Sequence, residues 1–234
     1  MLESVYPKPA GRASRDWIAT GAFSQSAFDG SIGISYIDAP DDSFDYQTQI
    51  DGSLVYGVTP MIKLQFDLGN TTYEGYDADL NYGVHAIYSP SAALDIGAFY
   101  SEEVDGYNYV GVEVAYRTGM LNVEAHAEIE DPSSDGTYYN IGAQVGYTLD
   151  DFGSMPGGLE VYAGVNNKYG SYGIYIPSIY IGLDVDIWNN LQLNTRAASM
   201  DDGDYRYYTV GLTYNFGNGA VFTPRDFSST FPGY

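Results

Sequence analysis

Thirteen carboxylates recur at one parity along this 234-residue chain: Asp45, Asp51, Asp67, Asp77, Asp79, Asp95, Glu113, Glu124, Glu128, Glu130, Glu160, Asp184 and Asp186. Only Lys63 and Arg196, with His85 and His126, share that parity as bases. A surface of one charge sign concentrates counter-ions and repels co-ions, so the first chemistry such a set offers is ion selection. General acid–base work is the second. His126 lies between Glu124 and Glu128, and a carboxylate-oriented histidine is a suitable base. Catalysis also needs a nucleophile or an activated water. The sequence places no serine beside His126, so no catalytic residue and no enzymatic activity are expected. Metal chelation is the third. Residues i and i+2 of a strand stand about 7 Å apart, too far for Glu124, His126 and Glu128 to close on one ion without other strands. No metal site is expected there. The acidic stretches Asp201-Asp202-Gly203-Asp204 and Glu102-Glu103-Val104-Asp105 have the oxygen density for loose Ca²⁺ or Mg²⁺ binding, but not the spaced ligands of a dedicated site. No cofactor is expected beyond that.

What positions these groups is strict alternation. From Phe44 to Val58, even positions read Phe44, Tyr46, Thr48, Ile50, Gly52, Leu54, Tyr56 and Val58, while odd positions include Asp45, Gln47, Gln49, Asp51 and Ser53. Successive strand side chains point to opposite faces, so the segment has one apolar and one polar surface. The split recurs: Ile62, Leu64, Phe66 and Leu68 oppose Lys63, Gln65 and Asp67; Leu121, Val123, Ala125, Ala127 and Ile129 oppose Asn122, Glu124, His126, Glu128 and Glu130. The last segment sets Tyr208, Val210, Leu212, Tyr214 and Phe216 against Thr209, Gly211, Thr213 and Asn215. Twelve segments alternate in this way, and every charged residue inside them falls on one face. Each is about as long as a tilted strand needs to cross a bilayer.

The connections alternate too. One set is mostly short and follows an aromatic residue: Tyr56 before Gly57-Val58-Thr59-Pro60, Tyr88 before Ser89-Pro90-Ser91, Tyr116 before Arg117-Thr118-Gly119, then Tyr147 and Trp188. The other set is acidic. The two ends of the molecule therefore differ.

Bulk composition excludes several classes. A net charge of -22 and a pI near 4.1 are wrong for nucleic acid, whose phosphates require Lys and Arg. With no cysteine there is neither a disulfide framework nor thiolate chemistry. No run of about 18 apolar residues exists, so no transmembrane helix is expected. Met1-Leu2-Glu3-Ser4 has neither a basic nor an apolar signal region, so an exported form is read as a mature chain.

A soluble β-sandwich or lipocalin-like barrel would turn the apolar face inward. Barrel interiors widen with strand number, and twelve strands lined with Ala, Val and Leu would enclose a dry void that close packing does not tolerate. The inverted arrangement puts apolar faces against lipid, aromatics at the interface and carboxylates around water.

Thr209-Val210-Gly211-Leu212-Thr213-Tyr214-Asn215-Phe216 resembles the terminal-strand signal of bacterial outer-membrane β-barrels. The resemblance covers roughly residues 30–216 and identifies no substrate family. It implies an all-β, closed antiparallel transmembrane barrel of about twelve strands, with short periplasmic turns and acidic extracellular loops. It assigns Gly211, Tyr214 and Phe216 to recognition by the barrel assembly machinery, and Tyr56, Tyr88, Tyr116, Tyr147 and Trp188 to an aromatic girdle. It also implies outer-membrane lipid and lipopolysaccharide as surroundings. The chain departs from the class by continuing past Phe216. Residues 217–234 are a tail that folds into the lumen, extends into the periplasm or pairs elsewhere. Residues 1–29 are read as a periplasmic or lumenal segment, with fourteen strands as the alternative. The functional expectation is a porin-like channel for small polar solutes, favouring cations or neutral molecules. The alternative is a non-conducting barrel that interacts through its acidic loops. Oligomeric state stays open.

Overall fold

The computed structural model describes residues 28–40, 46–73, 78–103, 107–132, 137–149, 158–170, 175–201 and 204–225. Each alternating segment is a strand: β1 (Phe28–Asp38), β2 (Tyr46–Thr59), β3 (Ile62–Tyr73), β4 (Asp79–Ser91), β5 (Leu94–Glu103) and β6 (Tyr107–Thr118). The second half is β7 (Leu121–Pro132), β8 (Tyr138–Leu149), β9 (Leu159–Gly170), β10 (Tyr175–Trp188), β11 (Leu191–Met200) and β12 (Tyr205–Phe216). Every strand pairs antiparallel with its sequence neighbours, and β1 pairs β12 from Gly30↔Phe216 to Asp38↔Tyr208. The barrel therefore closes at twelve strands, without the two extra strands of the alternative count. Closure leaves no open edge, so the strand backbone is satisfied without water.

The core is inverted. Ile32, Val112 and Ile179 are about 60% exposed on the outer wall, at 59%, 60% and 61%. Gln47, Gln65, Thr71, His85, Glu130 and Asn140 are buried inside. Moving one such aliphatic side chain from water into hydrocarbon is worth roughly 1.5–3 kcal/mol, so this wall is stable only against lipid.

Three refinements follow from the strand ends. The strands run further than the sequence pattern showed and carry Asp38, Glu102 and Arg206 on the outer face at the loop end. One-sided charge thus holds for the strand bodies, not their tips. The inner face is not wholly polar either. Ile37, Ala39, Ala198, Met200 and Tyr207 form a buried cluster inside the loop end, and Ile87, Ala115 and Phe222 form another nearer the turns. The hairpin turns are tight: Asn190 at φ 67° and Gly119 at φ 55° take the left-handed conformation that Asn and Gly tolerate best.

Candidate functional site in the lumen

Past Phe216 the chain reverses through Gly217 and Gly219, both at positive φ (62° and 76°). Asn218 fixes the reversal by donating its backbone N–H (3.0 Å) and side-chain amide (3.1 Å) to Asp29. Val221 to Arg225 then lie inside the barrel, the first of the three placements open from sequence. Gln65 on β3 clamps it: Val221 and Phe222 donate their N–H groups to Gln65 Oε1 (2.9 and 3.1 Å), and Gln65 Nε2 donates to the Phe222 carbonyl (2.8 Å). Arg117 donates to the carbonyl of Val221 and, at 3.0 Å, to Asp95.

Beneath this clamp lies a chain of buried charges. His85 on β4 sets Nε2 2.6 Å from Asp67 Oδ2 and Nδ1 2.5 Å from Glu113 Oε1. Phe99 and Phe222 stack on its ring, with centroids 5.5 and 6.2 Å away. Arg225 of the tail donates from Nε to Glu113 (3.1 Å) and from Nη2 to Glu124. Burial pulls the Arg225 guanidinium down, but the carboxylates of Glu124, Glu113 and Glu128 more than offset this and raise it. The tail is thus seated by hydrogen bonds, one aromatic stack and two ion pairs.

The rest of the inner wall is cross-braced. Lys63 pairs with Asp95 at 3.3 Å, and Lys168 with Glu130 at 2.7 Å. Asn140 donates to Glu128 (2.9 Å) and Glu130 (3.2 Å), Asn194 to Asp184 (2.9 Å), Gln192 to Asp186 (3.4 Å), and Asn122 to Glu160 (3.3 Å). The register turns Asp51 and Asp79 inward as well. Asp45 and Asp77 lie outside the described residues.

The lumenal inventory needs correction on its basic side. Arg117 belongs to β6, not to the turn. Lys168 lies on the inner face of β9, and Arg225 comes from the tail. With Asp29 and Glu103, which the register turns inward at strand ends, the described lumen holds thirteen carboxylates against five bases: an excess of eight negative charges with histidines counted neutral.

Glu124 and Glu128 do not orient His126. No hydrogen bond joins His126 to a carboxylate or hydroxyl among the described residues, and its Nε2 is buried without a partner. No three His, Cys, Asp or Glu side chains converge as a metal site among the described residues. Tyr162 and Tyr180 line the inner face unexpectedly. The inward positions of Gly182 and Gly164 make room for their rings, for a Cβ on Gly182 would strike Tyr162 and one on Gly164 would strike Tyr180. Arg196 lies 3.9 Å above the Tyr180 ring.

On the outer wall, Tyr56, Tyr88, Tyr116, Tyr147 and Trp188 stand exposed at the turn end. A second band lies near the loops: Tyr36, Tyr46, Tyr82, Tyr100, Tyr169, Tyr175 and Tyr208. Gly211 and Tyr214 sit in β12, and the Phe216 ring covers Gly30 at the β1–β12 seam. A groove of about 500 Å³ lies on the wall around Gly52, lined by Ile32, Ile50, Leu54, Phe66 and Leu68 together with Asp51 and Asp67.

A twelve-stranded closed barrel with a lipid-suited exterior and a charged interior has the architecture of an outer-membrane β-barrel. Solved structures share the fold. The KdgM porin superposes with a TM-score of 0.61 at 13% identity, covering 80% of this chain and 99% of that one. The same porin in complex with disordered oligogalacturonate gives 0.58 at 14% identity over 80% and 99%. The NanC porin gives 0.57 at 11% identity over 79% and 100%. No family model and no curated protein matches the chain. At these identities the likeness is one of fold.

Proposed function

We propose that this protein is an outer-membrane channel that passes small polar solutes by passive diffusion and favours cations and neutral molecules. The excess of eight negative charges carries the reading, because a wall of one sign within low-dielectric surroundings concentrates cations. It also sets this barrel apart from a carrier of polyanions: the KdgM porin is described with oligogalacturonate, whereas this acidic lumen repels such a chain. Lipid, lipopolysaccharide and the barrel assembly machinery are the partners this reading requires, the last acting on Gly211, Tyr214 and Phe216. Loose Ca²⁺ or Mg²⁺ at the acidic loops is compatible with it.

The seated tail favours a second reading, a barrel closed to solutes that serves as a surface-interaction protein. Reconstitution into planar bilayers separates the two. A channel gives discrete conductance steps and, under a KCl gradient, a reversal potential of the sign that K⁺ selectivity dictates. Silent bilayers refute the channel, and Cl⁻ selectivity refutes the charge argument.

A further inference from the structure

Of the five lumenal bases, four are in ion pairs: Lys63, Arg117, Lys168 and Arg225. Arg196 is the exception. It forms no ion pair among the described residues, although acids dominate the wall. Asp184, on the adjacent strand, accepts from Asn194 instead. Arg196 lies flat over Tyr180, and its Nε is buried without a hydrogen-bond partner. A buried donor without a partner is costly, more so when charged, so the position calls for an acceptor.

The space beside it is a cavity of about 40 Å³ between the tail and the wall of β7–β11, lined by Glu124, His126, Asn166, Tyr180, Arg196 and Arg225 among others. One water needs roughly 10–15 Å³ on this measure, so the cavity accommodates about three heavy atoms, the size of a carboxylate head. His126 is 8% exposed, and its unpartnered Nε2 belongs to the same lining. Arg225 is held by Glu113 and Glu124, which leaves Arg196 as the base in this lining without an ion pair, Asp184 on the neighbouring strand acting on it only from beyond contact distance.

We propose that Arg196 and His126 form a binding site for the carboxylate of a small monocarboxylate solute, with Tyr180 as the shelf that aims the guanidinium. This deepens the channel reading and rests on it for the ligand's route in: a zwitterion, neutral overall, passes the acidic wall, and its carboxylate then meets Arg196. One guanidinium without an ion pair gives one carboxylate a partner. The acids around it oppose a second, so the site selects monocarboxylates, zwitterions included, over polycarboxylates.

The test is ¹⁹F NMR of trifluoroacetate with the full chain folded in detergent. The expected result is saturable line broadening that acetate reverses, with citrate at least tenfold weaker as a competitor. Arg196→Gln should weaken binding at least tenfold, and Arg196→Lys should restore part of it. Heat-modifiable gel migration confirms that each variant is folded, and KCl conductance in bilayers is read in parallel. Absence of saturable broadening, binding unchanged by R196Q, or equal competition by citrate would each overturn the proposal. A silent bilayer with intact trifluoroacetate binding would instead retain the site and remove the channel reading.

Discussion

Replacing Arg225 with glutamine should unseat the tail. Its guanidinium bridges Glu113 on β6 and Glu124 on β7, and both carboxylates face the interior. Glutamine supplies no charge, so Glu124 loses its ion pair and Glu113 keeps only His85. Breaking a buried ion pair by removing one partner costs about 3–5 kcal/mol. At about 1.36 kcal/mol per decade, the docked-to-free ratio of the tail falls by roughly two to four decades. The clamp of Gln65 on Val221 and Phe222 is unchanged by the substitution, so the loss is specific to the charge. The chain has no cysteine, which makes Val221→Cys a single reporter thiol. In folded protein, maleimide should label this thiol at least tenfold faster when Arg225→Gln is added; the half-buried position of Val221 sets a floor under the parent rate. In bilayers the same change should raise unit conductance, and Arg225→Lys should fall between. Equal labelling with and without R225Q would refute a tail held by this pair, whatever the bilayers do.

Four further outcomes test the rest of the architecture. Ile181→Arg places a charge on the outer wall at the middle of β10 and should cost about 2–4 kcal/mol, read from urea unfolding in lipid vesicles. Gly30→Val inserts a side chain where the Phe216 ring and the Ser53 carbonyl already lie, so the seam should not close and the heat-modifiable folded band should disappear. Lys168→Met strips Glu130 of its 2.7 Å partner and should destabilise the barrel by about 3–5 kcal/mol in the same unfolding assay. Trp188, 72% exposed, should fluoresce as an interfacial indole in a Trp17→Phe background, with lipids brominated near the headgroup quenching it more than lipids brominated at the chain end.

The strands were legible because lipid and water impose opposite demands on alternate residues, and alternation leaves a period of two in the sequence. Parity alone placed Asp67, Glu113 and Glu128 on one wall. It could not bring His85 between Asp67 and Glu113, since that depends on the register of β3, β4 and β6. Arg117 was read as a turn residue because Arg-Thr-Gly punctuates like a loop, whereas β6 continues to Thr118. Lys168 lay beyond the last clear alternation of β9. Tyr162 and Tyr180 were overlooked because aromatics in such a sequence usually mark the outer girdle. The signal that could have found them is the pairing of each with a glycine in register, Tyr180↔Gly164 and Tyr162↔Gly182. The tail has no alternation, so its course inside the lumen left no periodic trace.

The tail also changes the mechanics of the barrel. A ring of strands is a hoop: backbone pairing runs only between neighbours, so the cross-section can flatten without breaking a ladder bond. The tail leaves the hoop at β12 and is tied to Gln65 on β3, Glu113 on β6 and Glu124 on β7. It is a spoke, joining β12, β3 and the β6–β7 pair, which share no ladder with one another, and resisting ovalisation along the line it spans. The segment that narrows the lumen therefore also sets how round the lumen stays.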